Sequence, residues 1–274
     1  MLKFAPSVFA VGDGYQIIIN TEGEAFVDIK TGGRLFTDDS NGILRSASSC
    51  HKFNIPAELI EGEKGYTVGV TPVTERKAYF SVTEKRIEYR YSFAPLPDDN
   101  IRIYHIADTH NRVDEPVRAC ENYGKIDLLI LNGDIPEDSE TVSNFDTIYD
   151  ICGRITGGGI PCVFARGNHD LRGRAAEFHS MYLPDCGGCS YYGFRAGRIR
   201  GLCLDCGEDK TDDHPEYGNT VTCHGFRERE TEFIRREARN EADSSARDSG
   251  YKLVVVHVPF IHRYHPPFDI EEDI

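Results

Sequence analysis

Pro161-Cys162-Val163-Phe164-Ala165-Arg166-Gly167-Asn168-His169-Asp170 is the stretch on which the fold turns. A short apolar run that halts at glycine reads as a buried strand, and glycine lets the backbone bend sharply at its end. An amide oxygen, an imidazole and a carboxylate then stand together on one loop. These are the short polar side chains used as hard or borderline metal ligands and as proton carriers. One such string is only a hypothesis, so the rest of the chain has to supply partners.

Other apolar runs end in the same way. Ile101 to Ile106 leads to Asp108-Thr109-His110, Asp127 to Leu131 leads to Asn132-Gly133-Asp134, and Lys252 to Val256 leads to His257. Singly, each has an ordinary structural reading: Asp108 as a turn former or helix cap, Gly133-Asp134 as a turn, His257 as a hydrogen-bonded core histidine. Together they deliver Asp, His and Asn side chains just beyond the C-terminal ends of several strands, where an α/β sheet gathers its site. The carboxylate of Asp134 has two oxygens and can bridge two cations, and two cations roughly 3.5 to 4 Å apart clamp both oxygens of an in-line displacement. The mixed nitrogen and oxygen donors suit Mn, Fe, Zn or Ni and disfavour calcium.

Upstream of this region the pattern is different. Tyr15 to Ile19, Ala25 to Ile29, Tyr66 to Val70, Lys77 to Val82 and Glu88 to Phe93 read as strands, and no window shows a 3.6-residue period. A small β-sandwich is the expectation, closed by the linker Ala94-Pro95-Leu96-Pro97-Asp98-Asp99-Asn100. Beyond it, helices are expected over Glu115 to Tyr123, Val142 to Ile155, Ala175 to Tyr182 and Phe226 to Ala246, with strands at Ser190 to Phe194 and Ile199 to Leu204. The charges of the long last helix read as a solvated face.

The 274 residues, 39 % hydrophobic and 28 % charged, describe a globular protein with ample core. A net charge of −14 argues against a general nucleic-acid binder. The N-terminus lacks a signal-peptide core and no long apolar run occurs, so the expected compartment is the cytoplasm and no membrane partner is expected. The nine cysteines then read as small buried hydrophobes. A rival site is conceivable: Cys186-x-x-Cys189 and Cys203-x-x-Cys206 resemble zinc-ribbon knuckles, at a shorter interval than usual. Arg166 and Arg172 either hold phosphate oxygens or pair with carboxylates, and segments 206–210 and 212–217 either touch substrate or are plain polar loops.

Asp108-x-His110, Gly133-Asp134, Gly167-Asn168-His169-Asp170 and Val254-x-x-His257, in that order, resemble the calcineurin-like metallophosphoesterase family. The resemblance implies a four-layer αββα sandwich over 97–274 and two divalent metal ions. It assigns Asp108 and His110 to one metal, Asn168 and His257 to the other, and Asp134 to both. Attack by a metal-held hydroxide on a small phosphorylated substrate would follow, with His169 binding the phosphate or protonating the leaving oxygen. Residues 1–96 resemble, more weakly, the fibronectin type III-like module preceding purple acid phosphatases. Two departures stand out. Glu137 occupies the position of the tyrosine ligand of purple acid phosphatases, which argues against an Fe(III)-tyrosinate centre. The family's Gly-His-x-His does not follow His257, which leads to the expectation of a C-terminally truncated form; His262 and His265 read as loop histidines rather than substitutes. A phosphomono- or small phosphodiesterase is the leading expectation, with a non-catalytic binding module and a nuclease as alternatives.

Overall fold

The computed structural model describes residues 1–39, 42–205, 207–243 and 250–258, without the side chains of 241–243. Its strands are β1 (Ser7–Val11), β2 (Gly14–Thr31), β3 (Arg34–Thr37), β4 (Ser48–Pro56), β5 (Gly65–Arg76), β6 (Ser81–Thr83), β7 (Ile87–Ser92), β8 (Ile103–Ile106), β9 (Leu128–Asn132), β10 (Cys162–Ala165), β11 (Tyr192–Ala196), β12 (Ile199–Cys203) and β13 (Tyr251–Val255). The helices are α1 (Ala57–Glu63), α2 (Asp114–Tyr123), α3 (Asp146–Thr156), α4 (His179–Tyr182) and α5 (Cys223–Asp243).

A ten-stranded sheet runs in the order β6-β5-β2-β1-β10-β9-β8, with β3, β4 and β7 attached to its side, and β11-β12-β13 form a second sheet. Period-two alternation explains the layering. Along β1, β9 and β10, Val8, Leu128, Ile130 and Val163 face a core shared with Tyr192, Ile199 and Val255 of the second sheet. The intervening Phe9, Leu129, Leu131 and Phe164 face Cys120 of α2 and Ile148 and Ile151 of α3. On the far side of the second sheet, Phe233 and Ile234 of α5 pack with Tyr191 and Leu204. The order of layers is therefore helix, sheet, sheet, helix, as the αββα expectation requires. The strands β9 and β10 are buried on both faces, which is why they read as unbroken apolar runs.

The N-terminal residues are predominantly β, as expected, with two differences. The seven-residue helix α1 interrupts them where no helical period was legible: it is too short for one, and it has no side-chain N-cap. Their hydrogen-bond ladder also continues past residue 97, because β1 pairs in parallel with β10 at Phe9↔Cys162 and antiparallel with β2. Further on, the stretch expected to be helical from Val142 begins as a 3-10 turn, Val142–Phe145, before α3 takes over. Ala175 to Tyr182 likewise splits into a 3-10 segment and the single turn α4. In α5 the solvated-face expectation fails for Arg227 and Glu230, which are 5 % and 0 % exposed and face inward. Among the described residues, no helix is long and apolar enough to cross a membrane.

Gln16 on β2 ties the first part of the chain to the second. Its amide donates to the Asp185 carbonyl at 2.8 Å and accepts the Asp185 N–H at 2.9 Å, imitating a backbone pair. Lys52 of β4 reaches the same turn, bonding the Ser180 and Leu183 carbonyls and the Asp185 carboxylate. Gln16→Ala strands both Asp185 backbone groups at a half-buried junction and is expected to cost about 1–3 kcal/mol of stability. Chemical denaturation measures this; a change within a few tenths of a kcal/mol would show that water replaces the amide.

Candidate metal centre

Strands β8, β9 and β10 lie side by side in parallel, so the loops after them meet at one end of the sheet. The backbone joins these loops before any side chain does. Asp108 N–H donates to Gly133 O at 3.1 Å, His110 N–H to Asp134 O at 3.1 Å, and Asn111 N–H to Ile135 O at 3.0 Å. The third loop is fastened by Asp170, whose Oδ2 accepts the N–H groups of Asp134 at 2.9 Å and Gly167 at 2.7 Å. Burial pushes the Asp170 carboxyl up to about 7, while those two amides pull it down.

This closeness has a conformational cost. Asp108, His110, Asn111 and Asp134 all adopt positive φ, between 43° and 65°, in the left-handed region that non-glycine residues seldom occupy. Strain of this kind collects where function over-determines the backbone. Gly133 and Gly167 could carry no side chain: a Cβ on Gly133 would lie 2.6 Å from the His257 ring, and one on Gly167 would collide with the Asp134 carboxylate.

Asp134 sits at the centre, 3 % exposed. Its Oδ1 accepts the His169 N–H at 2.8 Å, and its Oδ2 lies 3.3 Å from His257 Nε2. Burial alone would raise the Asp134 carboxyl, but the His257 imidazole and the His169 amide hold it below the ordinary range. Burial correspondingly lowers His257, and the Asp134 carboxylate more than reverses this, lifting it to about 9. Two sets of potential ligand atoms meet within 4.8 Å of one another: His110, Asp134 and His169, and Asp108, Asp134 and His257. Asp134 belongs to both.

The donor chemistry fits divalent ions. His257 Nδ1 is engaged with Asn132 O at 2.7 Å, which leaves Nε2 turned to the carboxylate, the usual orientation of a ligating imidazole. Buried atoms without hydrogen-bond partners also gather here, namely His110 Nδ1, Asn132 Oδ1 and Asp170 Oδ1. His110 Nδ1 does have a charged neighbour, Glu137 Oε2 at 3.2 Å, without a hydrogen bond between them. His169 differs from the rest, because both of its ring nitrogens are occupied: Nδ1 by the Glu137 carbonyl at 2.7 Å and Nε2 by Arg172 Nη1 at 3.0 Å. Asn168 is half-buried on the same loop, its carbonyl accepting Leu171 N–H at 3.2 Å.

A sequence model of the calcineurin-like phosphoesterases matches residues 101–272, well over half the chain. The chain belongs to the calcineurin-like phosphoesterase family. Among solved structures, this phosphoesterase-family chain is similar to purple acid phosphatase PPD1 from yellow lupin (Lupinus luteus) seeds, at 13 % identity and a TM-score of 0.47. That match covers 81 % of this chain and 48 % of the lupin chain, so the present sequence spans about half the lupin protein's length. A GH family 64 laminaripentaose-producing β-1,3-glucanase from Paenibacillus barengoltzii matches at 11 % identity and a TM-score of 0.18, over 38 % of this chain and 27 % of that one. No curated protein matches the chain.

Other sequence expectations resolve differently. Arg166 and Arg172 both pair with buried carboxylates, Arg166 Nε with Asp205 Oδ2 at 2.5 Å and Arg172 Nε with Glu208 Oε1 at 3.2 Å. The zinc-ribbon alternative finds no support among the described residues. Cys186 and Cys189 face each other across a two-residue turn, whereas Cys203 is buried and donates its Sγ–H to Phe164 O at 3.0 Å. Cys206, His262 and His265 lie outside the described residues. Asp170 and Glu137 are the contributors whose roles were not assigned from sequence; Asp170 was visible as the last letter of the central motif, while Glu137 acts through its backbone carbonyl, which sequence does not mark.

Proposed function

We propose that the protein is a metal-dependent phosphoesterase acting on phosphomonoesters or small phosphodiesters, with Asp108, His110, Asp134, Asn168 and His257 holding two divalent ions. The observation that carries this reading is the sharing of one buried carboxylate, Asp134, between two converging ligand sets at the C-terminal ends of parallel strands. Asp108 Oδ1 stands 3.8 Å from His110 Nε2, near enough to serve one ion as the family resemblance implies, although the groupings around Asp134 set Asp108 with His257 and His110 with His169. Divalent ions, when bound there, would supply charge to a phosphoryl oxygen and a nucleophile from water at neutral pH. The resemblance gives His169 to the phosphate or the leaving oxygen; its Nδ1 is held by the Glu137 carbonyl, so substrate would have to displace Arg172 from Nε2 to meet it. The division of the chain near residue 97 belongs to the same reading, with residues 1–96 as the β-rich support of the site. A nuclease is disfavoured by the net charge of −14.

The test is turnover of p-nitrophenyl phosphate and of bis-p-nitrophenyl phosphate by the chain titrated with Mn²⁺. Activity that rises with metal and vanishes with chelator supports the proposal, and the ratio of the two rates sorts monoesterase from diesterase. If calorimetry shows Mn²⁺ binding at a stoichiometry below one, or both esters stay intact in its presence, the proposal fails.

A further inference from the structure

A cavity of about 760 Å³ opens beside His169, between the segment 171–177 that follows the central loop and the segment 207–226 that leads into α5. Arg172 connects the two places. Its Nη1 touches His169 Nε2 at 3.0 Å, and its side chain lines the cavity. A phosphoester whose phosphorus lies at the metal centre would thus have its organic part directed into this space.

The wall chemistry narrows what that part can be. The guanidinium of Arg172 is already matched by Glu208, which is 1 % exposed, through contacts of 3.2 and 3.3 Å. Arg166 is matched in the same way by the fully buried Asp205. Glu216 lies 3.8 Å from Arg172 and 3.3 Å from Lys210 Nζ. Of the other charged groups in the lining, Arg174 and Glu177 offset each other, so the cavity has little net field to attract a second phosphate or carboxylate. The rest of the wall is mainly apolar or aromatic, through Leu171, Ala176, Tyr217, Val221 and Phe226, with two threonine hydroxyls among them.

The wall is also firmly built. Tyr217 Oη donates to Asp209 Oδ1 at 2.9 Å and accepts the Lys210 N–H at 3.1 Å. Asp212 accepts the N–H of Cys223 at 2.8 Å and of His224 at 3.2 Å, fastening this loop to the start of α5. A preformed, largely apolar space with a few fixed polar groups is the usual form of a small-molecule site.

We propose that this cavity binds the organic group of the phosphoester, and that the preferred group is large, uncharged and aryl-bearing rather than a small polyol or a second anionic ester. The inference rests on the phosphoesterase reading for its phosphate end, while the cavity can be probed without turnover. Ala176→Phe and Val221→Phe each fill it from a different segment. With Mn²⁺ present, each variant is expected to lose about tenfold or more in kcat/KM for 1-naphthyl phosphate. Glycerol 2-phosphate, too small to reach the filled space, should change by less than about twofold in the same variants. Equal losses on both esters, no loss on either, or a wild-type preference for fructose 1,6-bisphosphate would overturn the assignment.

Calorimetric binding of 1-naphthylmethylphosphonate, which has no ester bond to cleave, gives a second readout, and thermal melts show whether each variant is folded. Weaker phosphonate binding in both folded variants, with no ester turned over by the wild type, supports the cavity and removes the phosphoesterase reading. Ester turnover with unchanged phosphonate binding in the variants removes the cavity assignment alone. Failure of the wild type both to bind the phosphonate and to cleave any ester removes both.

Discussion

Asp134→Asn is expected to reduce ester turnover by well over a hundredfold while leaving the fold in place. Loss of an outer-shell partner of a metal ligand already costs about 10–100-fold in affinity or activity. Asp134 contributes to both ligand sets, so its replacement weakens both together. The substitution is close to isosteric, and the asparagine oxygen can still accept the His169 N–H that Asp134 Oδ1 accepts at 2.8 Å. The variant should therefore fold, with a lower metal content and a melting point below that of the metal-loaded wild type. The metal-free variant gives an independent check through His257. Burial lowers that imidazole, and the Asp134 carboxylate lifts it to about 9. With the carboxylate gone, burial is unopposed by it, and the NMR titration of His257 should move down, towards or below the ordinary histidine value. Retention of full turnover, or an unmoved His257, would remove Asp134 from the centre of the site.

Much of this arrangement was legible because it is carried by local signals. The strands β9 and β10 are largely apolar runs of the length of a strand, and each is followed within two residues by a glycine that the geometry requires: Gly133 and Gly167 allow the loops to approach where any Cβ would clash. The place of β1 was not legible, since Ser7–Val11 is a short apolar string whose meaning depends on a neighbour far along the chain, Cys162. Non-local pairing of that kind leaves no mark in a window of sequence. The same limit applies to α5. Counting its charges suggested a solvated face, but Arg227 donates to the Glu208 carbonyl at 2.5 Å and Glu230 accepts the Asp205 N–H at 2.6 Å, bonds that become visible only once β12 and α5 are packed together. Arg166 shows a subtler form of the problem. Its position beside the central loop suits phosphate binding as well as pairing, and only the buried carboxylate across from it decides between them.

Arg166→Met is accordingly expected to destabilise the fold by about 3–5 kcal/mol, the range seen when one partner of a buried ion pair is removed. Methionine keeps most of the volume, so the loss reports charge and hydrogen bonding rather than a cavity. The side chain of Asp205 is fully buried; its Oδ2 accepts Arg166 Nε at 2.5 Å and the Ser190 hydroxyl at 2.6 Å, and its Oδ1 accepts the Gly207 N–H at 2.8 Å. Glu230 lies next to it, also fully buried, and burial first, then the charge of Asp205, pushes its carboxyl well above the ordinary range. Without the guanidinium, this pair of acids retains hydroxyl and amide donors but loses its strongest cation. Urea unfolding at neutral pH measures the deficit. Arg166→Met combined with Asp205→Asn should recover part of it, since the asparagine has no charge left to strand. If the single variant unfolds at the wild-type urea midpoint, or the double variant loses the sum of the two single losses, the pair is not coupled and Arg166 is free for the phosphate role it shares by position with Arg172.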